Sequence, residues 1–99
     1  MDPSGSRSRE RVAARRTVIY MEDQIKQIMA DVFDLDAEYI DASTSQDNTP
    51  NWDSLNHINL IIAVEQEFDT TFSPEEIELM TSFIDVVETL ERKLRLRTV

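Results

Sequence analysis

One serine of this chain stands where a hydroxyl could be modified. Ser54 lies between Asp53 and Leu55, directly ahead of an apolar run that extends to Phe68. A serine nucleophile needs a general base, a third group that orients this base, and an oxyanion site. The single histidine, His57, follows three residues later, and a helical pair at that spacing supplies neither of the other two. The sequence therefore predicts an attachment point at Ser54, no catalytic residue, and an exposed surface histidine at position 57.

Two helices are predicted on either side of a long linker. In the first, from Met21 to Phe33, the apolar residues follow the spacing of one helical face. The second runs from about Ser54 to Phe68 with Asp53 as its cap, and its apolar positions cover more than one stripe. The linker spans 34–52, and it carries three residues expected to anchor it to the core. The face of the first helix is Ile25, Ile28, Met29, Val32 and Phe33, and the anchors are Leu35, Tyr39 and Ile40.

Two further helices follow after a short turn. Ser73 and Pro74 are typical of an N-cap and a first helical residue, and Met80 with Thr81 interrupts that helix after about two turns. Ser82, with Asp85 three residues later, predicts the start of a fourth helix. The buried face of this helix is expected to be Phe83, Ile84, Val87, Leu90 and Leu94. The fold class is therefore all-α, with four helices, a long first loop and a short third helix.

Length and composition exclude several classes of protein. The chain has 99 residues, no cysteine, one histidine and one glycine, so we expect one small domain with no disulfide and no metal site. The only glycine lies at position 5, so no glycine-rich phosphate loop can form. No apolar run approaches the roughly 20 residues that span a bilayer, and no signal peptide follows Met1. These features predict a soluble, cytoplasmic protein with no membrane insertion.

The charges are arranged in blocks. Between residues 21 and 90 there are 17 acidic residues and one basic residue, Lys26, whereas both ends of the chain are net basic. Such an acidic body repels nucleic acid and steers the protein toward basic protein surfaces, although the same charges would also serve solubility alone. Residues 1–20 are rich in serine and arginine, so we predict a flexible basic tail there, either an extension or a cloning remnant, and a folded domain over 21–99.

The Asp-Ser-Leu motif at 53–55, within this four-helix pattern, resembles that of the acyl carrier proteins. The resemblance covers Met21 to Leu94 and includes the end of the second helix at Phe68 and the acidic third helix that starts at Pro74. It implies a small four-helix bundle whose serine, Ser54, carries 4'-phosphopantetheine transferred from coenzyme A. A phosphodiester there would sit at a helix N-terminus, where free backbone amides favour an anion. The chain would be a non-catalytic carrier, and we expect a monomer.

The resemblance also assigns roles to other residues. Asp53 would cap the helix and help a phosphopantetheinyl transferase engage Ser54, while Leu55 would be a packing anchor. Trp52 would shield the arm or pack against the first loop. Acidic residues would meet acyl-transferring and acyl-modifying synthase enzymes with basic docking patches, and apolar residues would line an acyl pocket. The acidic set is Glu65, Glu67, Glu75, Glu76 and Glu78, and the pocket set is Ile58, Ile62, Phe72, Ile77, Met80, Phe83 and Val87.

Two departures from the family bear on its role. The resemblance itself implies service to enzymes of fatty-acid, polyketide or related lipid biosynthesis. Asn56 and Asn59 stand where many carriers of fatty-acid synthesis have acidic residues, which favours a specialised, free-standing member that serves a secondary-metabolite, modified-lipid or surface-polymer pathway. Two alternatives remain open from sequence. One is an aminoacyl or peptidyl carrier, which differs mainly in its cargo. The other is an acidic helical interaction domain without a prosthetic group, whose function would be independent of Ser54.

Overall fold

The computed structural model describes residues 19–97, with side chains up to residue 95, and places four helices in this part of the chain. Helix α1 covers 19–33, α2 Ser54–Phe68, α3 Pro74–Leu79 and α4 Phe83–Arg97. Within these residues the only β pairing is an isolated antiparallel bridge between Ser45 and Ser82. The prediction of an all-α, four-helix fold is confirmed. Helix α1 is already formed at residue 19, two residues before the predicted start, so the last two residues of the tail predicted over 1–20 belong to α1. Residues 1–18 of that tail lie outside the described residues.

A single apolar core joins all four helices. Successive turns of α1 bury Ile25, Met29 and Phe33, as their helical spacing predicts, while Ile28 and Val32 are half-buried at its edge. On α4, Phe83, Val87 and Leu90 are buried as predicted, Leu94 packs at the edge, and Ile84 is exposed instead. The remaining buried apolar side chains of α2, α4 and the connections include Leu60, Ile61, Val64, Phe72, Met80 and Val86.

The long linker between α1 and α2 is ordered by hydrogen bonds to the helices. It contains two single-turn 3-10 helices, Ala37–Tyr39 and Gln46–Asn48. Its middle is fixed to the start of α4, because the amide of Phe83 donates to the Thr44 carbonyl and the amide of Gln46 donates to the Thr81 carbonyl, each at 2.9 Å. Ile40 is buried and Leu35 packs against the core, as predicted. The predicted anchor Tyr39 is wrong: 69% of its surface is exposed.

Short polar side chains set the helix ends. The Ser73 hydroxyl accepts from the Glu76 amide while the Glu76 carboxylate accepts from the Ser73 amide, a reciprocal capping box that starts α3 at Pro74. The Ser82 hydroxyl accepts from the Asp85 amide at 3.0 Å and caps α4. Helices α1 and α2 end at Asp34 and Asp69, which have positive φ values of 57° and 51°. Within 19–97, no helix combines the length and apolar character needed to cross a membrane.

Candidate functional site

Ser54 is the first residue of α2, and its side chain is exposed. The preceding residue, Asp53, is extended, and its carboxylate accepts a hydrogen bond from the Asn56 amide at 2.8 Å. This confirms the predicted capping role of Asp53. Because amides in the first turn have no carbonyl ahead of them in the helix, those of Ser54 and Leu55 have no acceptor within α2. The site therefore presents a reachable hydroxyl beside amide donors and the positive end of the helix dipole, which suits a covalently attached phosphate.

Asparagine side chains hold the loop in front of Ser54. The Asn51 side chain donates to the Phe33 carbonyl at 2.6 Å, and the Asn56 side chain donates to the Asn51 carbonyl at 2.9 Å. The Asn59 side chain continues this chain by donating to Asn56 Oδ1 at 3.1 Å. The end of α1 is thus linked through Asn51 to the first two turns of α2. No local pattern predicts these hydrogen bonds, since the partners of Asn51 lie 18 residues upstream and five downstream.

Trp52 and His57 form the best-packed part of the site. Trp52 is 2% exposed and stacks on Phe33, with ring centroids 4.9 Å apart. Its indole Nε1 donates to His57 Nδ1 at 3.0 Å, and His57 Nε2 lies 2.9 Å from the Ile77 carbonyl of α3. The prediction of an exposed surface histidine is wrong, because His57 is half-buried and both ring nitrogens have partners. The two roles considered for Trp52 were shielding of the arm and packing against the first loop. The structure shows packing, and the partner is Phe33 of α1.

An apolar stripe lies on the exposed side of α2, next to Ser54. Leu55, Ile58 and Ile62 are 71%, 47% and 45% exposed, and their spacing of three and four residues places them on one face. The prediction of Leu55 as a packing anchor is therefore wrong. Ile58 and Ile62, predicted to line an interior pocket, lie largely on the outer face instead. The one signal in the sequence was that the apolar positions of α2 cover more than one stripe, more than a single buried face requires.

The five acidic residues predicted to bind partners divide into two groups. Glu65 and Glu76 are half-buried and engaged within the protein, Glu65 accepting from the Phe72 amide at 2.9 Å and Glu76 pairing with Lys93 at 2.7 Å. The hydrogen bond from Lys93, and next that from the Ser73 amide, lowers the pKa of the Glu76 carboxyl below its ordinary value. Glu67, Glu75 and Glu78 are exposed, and they lie near the end of α2 and along α3.

The predicted pocket residues divide in a similar way. Phe72, Met80, Phe83 and Val87 are buried in the common core, and Ile77 packs against it from α3. These five come from α3, its flanking connections and α4, so they belong to one interior region. Ile58 and Ile62 do not belong to it, as described above.

Comparison with curated proteins identifies relatives over most of this chain. It is 38% identical over 65 residues to an acyl carrier protein of Clostridium acetobutylicum, a match that covers 66% of this chain and 84% of the relative. It is 32% identical to acyl carrier proteins of Thermosynechococcus vestitus, over 73% of this chain and 89% of the relative, and of Coprothermobacter proteolyticus, over 72% and 87%. No protein-family model matches the chain.

Proposed function

The chain belongs to the acyl carrier protein family, and we propose that it carries acyl intermediates on a 4'-phosphopantetheine arm attached to Ser54. In this proposal it presents them to enzymes of fatty-acid, polyketide or related lipid biosynthesis and catalyses no reaction itself. The observation that carries the proposal is the exposed hydroxyl of Ser54 at the first turn of α2, capped by Asp53.

The residues around Ser54 fit a phosphodiester. The exposed hydroxyl supplies the ester oxygen and loses its proton on attachment, while the free amides of the first turn lie at the positive end of the helix dipole. The Asp53 carboxylate accepts from the Asn56 amide, so this cap leaves the backbone amides of Ser54 and Leu55 available to a phosphate. Once attached, the arm supplies a terminal thiol that holds acyl groups as thioesters, chemistry that this cysteine-free chain lacks.

We assign partner docking to the surface that surrounds Ser54. Its centre is the apolar stripe of Leu55, Ile58 and Ile62, and its acidic rim is Glu75 and Glu78 of α3. Glu67 is exposed as well, but it follows Ile62 by five residues and so lies on another face of α2. Exposed apolar side chains supply burial energy in a complex, whereas rim charges mainly govern the rate of encounter and the choice of partner. A phosphopantetheinyl transferase and later synthase enzymes with basic patches around an apolar centre would match this surface. Glu65 and Glu76 are excluded from the rim because they are engaged internally.

The interior region of Phe72, Ile77, Met80, Phe83 and Val87 is the proposed shelter for an acyl chain. It lies between α2, α3 and α4, and α3 covers it with one half-buried apolar side chain, Ile77. A six-residue helix has few internal hydrogen bonds and is marginal by itself. Displacement of α3 is therefore the least costly way to open this interior.

The test is modification of the purified chain, followed by intact mass. The parent, Ser54→Ala and Ser43→Ala are incubated with coenzyme A, magnesium and a broad-specificity phosphopantetheinyl transferase. Ser43 is an exposed serine in the linker and serves as the matched control. We expect the parent and Ser43→Ala to gain one phosphopantetheine and Ser54→Ala to gain none, with helical circular dichroism unchanged in all three.

Two results would contradict the proposal. A gain of phosphopantetheine by Ser54→Ala would show that the arm is attached to another residue. No gain in the folded parent with either a broad-specificity or a specialised transferase would favour an acidic interaction domain, which has no need of Ser54.

A further inference from the structure

The His57 ring joins three parts of the fold through two hydrogen bonds. The Trp52 indole can only donate, so His57 Nδ1 must be the acceptor of that 3.0 Å bond. The ring proton of neutral His57 then lies on Nε2, which donates to the Ile77 carbonyl at 2.9 Å. We call the hydrogen-bonded series Trp52, His57, Ile77 the His57 bridge. It requires one tautomer of the ring, and it crosses from α2 to α3 one turn after Ser54.

One end of the bridge is held rigidly. Trp52 is buried and stacked on Phe33 of α1, and its indole also faces the His57 ring, with centroids 6.1 Å apart. An indole fixed in this way directs its N–H at a single position. The contact with Trp52 therefore fixes the orientation of the His57 imidazole, and with it the position of the Nε2–H group that donates to α3.

The other end of the bridge is the last turn of α3. The start of α3 is held by the Ser73 and Glu76 capping box and by the ion pair of Glu76 with Lys93 of α4. At its end, the Ile77 carbonyl accepts from the Met80 amide at 3.2 Å and from His57, and the Met80 side chain that follows is buried in the core. The hydrogen bond from His57 joins this last turn to α2. Its loss would loosen the last turn against α2 and leave the contacts at the start of α3 in place.

From this geometry we infer that His57 is a positioning residue that holds α3 closed against α2, and so sets how readily an acyl chain carried on Ser54 enters the interior. The inference rests on the proposed function. A chain that starts at Ser54 and reaches Met80 or Phe83 must pass between α2 and α3, where the bridge lies. Entry then requires the His57 to Ile77 hydrogen bond to break. The observed affinity of the interior for cargo is therefore the affinity of the open form multiplied by the fraction of molecules that are open.

The test compares His57→Leu, which removes both hydrogen bonds, with His57→Gln, whose amide oxygen and nitrogen can replace the acceptor and the donor. Asn59→Leu introduces the same side chain on α2 away from the bridge and is the matched control. Each protein is loaded with phosphopantetheine or with octanoyl-phosphopantetheine, and loading is verified by intact mass. The readout is the difference in Tm between the two loaded forms.

We expect the octanoyl group to raise Tm more in His57→Leu than in the parent, by at least about 4 °C, the scale of a modest gain in stability for a domain of this size. The parent, His57→Gln and Asn59→Leu should give equal, smaller shifts. A merely structural role for His57 would lower Tm of both loaded forms together and leave their difference unchanged, which would overturn the inference. Equal behaviour of His57→Gln and His57→Leu would overturn it as well.

A second measurement needs no loading and is available even if His57→Leu folds poorly. Hydrogen exchange of the Met80 amide reports the closure of the last turn of α3, because this amide donates to the Ile77 carbonyl. Trp52→Phe keeps an aromatic ring against Phe33 and removes the indole donor, so the exchange at Met80 should be faster than in the parent. The smaller ring also leaves a cavity, and general destabilisation from it would speed exchange at both ends of α3. The Glu76 amide at the start of α3 is therefore the internal control and should exchange at the parental rate. Unchanged exchange at Met80 would contradict the role of the bridge, whereas failure of loading alone would contradict the proposed function.

Discussion

At the scale of single residues, Asp53 combines a structural task with a proposed functional one. Its carboxylate caps α2 by accepting from the Asn56 amide. In the proposal it also helps the transferase engage Ser54. Capping requires only a side-chain oxygen, which asparagine also supplies, whereas engagement by a cationic group on the transferase would require the negative charge. The two tasks can therefore be separated by substitution.

We expect Asp53→Ala to lower the free energy of unfolding by about 1 kcal/mol, the usual cost of losing an N-cap, and Asp53→Asn to change it little. If the charge is used by the transferase, Asp53→Asn should still lower kcat/KM for modification of Ser54 severalfold. Urea denaturation measures the first effect and the modification rate measures the second. Parental stability in Asp53→Ala would show that the cap contributes little, and a parental rate in Asp53→Asn would remove the proposed functional role.

The residues of the site differ in how far the sequence could identify them. The helix start at Ser54 and the cap at Asp53 were predictable because capping depends on neighbours within one helical turn. His57 and Trp52 were not, because the burial of Trp52 depends on Phe33 and the second partner of His57 is a backbone carbonyl 20 residues away. Leu55 was assigned to packing because an apolar residue on an amphipathic helix is usually buried, and here it contributes to an exposed stripe.

At the scale of elements, local patterns predicted the ends of α1 and α2 and the starts of the three later helices, whereas α1 begins two residues before its predicted start. Ser73 with Pro74, and Ser82 with Asp85, gave the starts of α3 and α4 correctly, because hydroxyl caps act through local hydrogen bonds. Helices α1 and α2 end at left-handed aspartates, Asp34 and Asp69, and not at glycine, the usual signal. The order of the long linker also escaped prediction, since Thr44 and Gln46 pair with backbone groups of residues 81 and 83.

The ion pair between Glu76 and Lys93 stabilises α3, and its contribution varies with pH. The pKa of the Glu76 carboxyl is below its ordinary value of 4.5, chiefly because Lys93 donates to it. A carboxyl with a lowered pKa in the folded state stabilises the fold at pH values above the unfolded pKa, and this contribution is lost as the pH falls through the folded pKa. Both side chains are partly solvent-exposed, at 25% and 30%, so the contribution is modest.

We therefore expect Glu76→Gln, which keeps an oxygen for the Ser73 amide, to be less stable than the parent by about 0.5 to 1 kcal/mol at neutral pH. The gap should close as the pH falls below the ordinary carboxyl pKa of 4.5 and through the lowered pKa of the folded-state carboxyl, because the parental side chain then becomes protonated. Urea denaturation across this range measures it. Glu75→Gln removes an exposed charge from the neighbouring position and should not lose stability at neutral pH. A gap that is independent of pH would assign the loss to the capping box and not to the ion pair.

At the scale of the whole molecule, charge is distributed unevenly around the proposed docking surface. The chain has a net charge of −10, yet α2 carries no charged residue from Ser54 to Val64. The positions that flank the apolar stripe on this part of the helix are amides, Asn56 and Asn59. Carboxylates resume at Glu65 and continue on α3. The surface thus combines an uncharged centre, which acts through short-range burial, with an acidic rim, which acts at longer range.

This division predicts that two kinds of substitution on the docking surface will respond differently to salt. The measured quantity is KM for modification by a phosphopantetheinyl transferase with a basic docking face, at about 20 and about 300 mM NaCl, since the Debye length shortens severalfold over that range. Replacing Glu75 and Glu78 by glutamine should raise KM at low salt and flatten its salt dependence. Leu55→Ala should raise KM by a similar factor at both concentrations, because burial of an apolar side chain is only weakly screened.

The control for the rim variant is Asp23→Asn with Glu88→Gln, which makes the same change in net charge at exposed positions on α1 and α4. If this control changes KM and its salt dependence as much as the rim variant does, net charge governs the rate of encounter. The assignment of the acidic rim as a docking element would then be wrong.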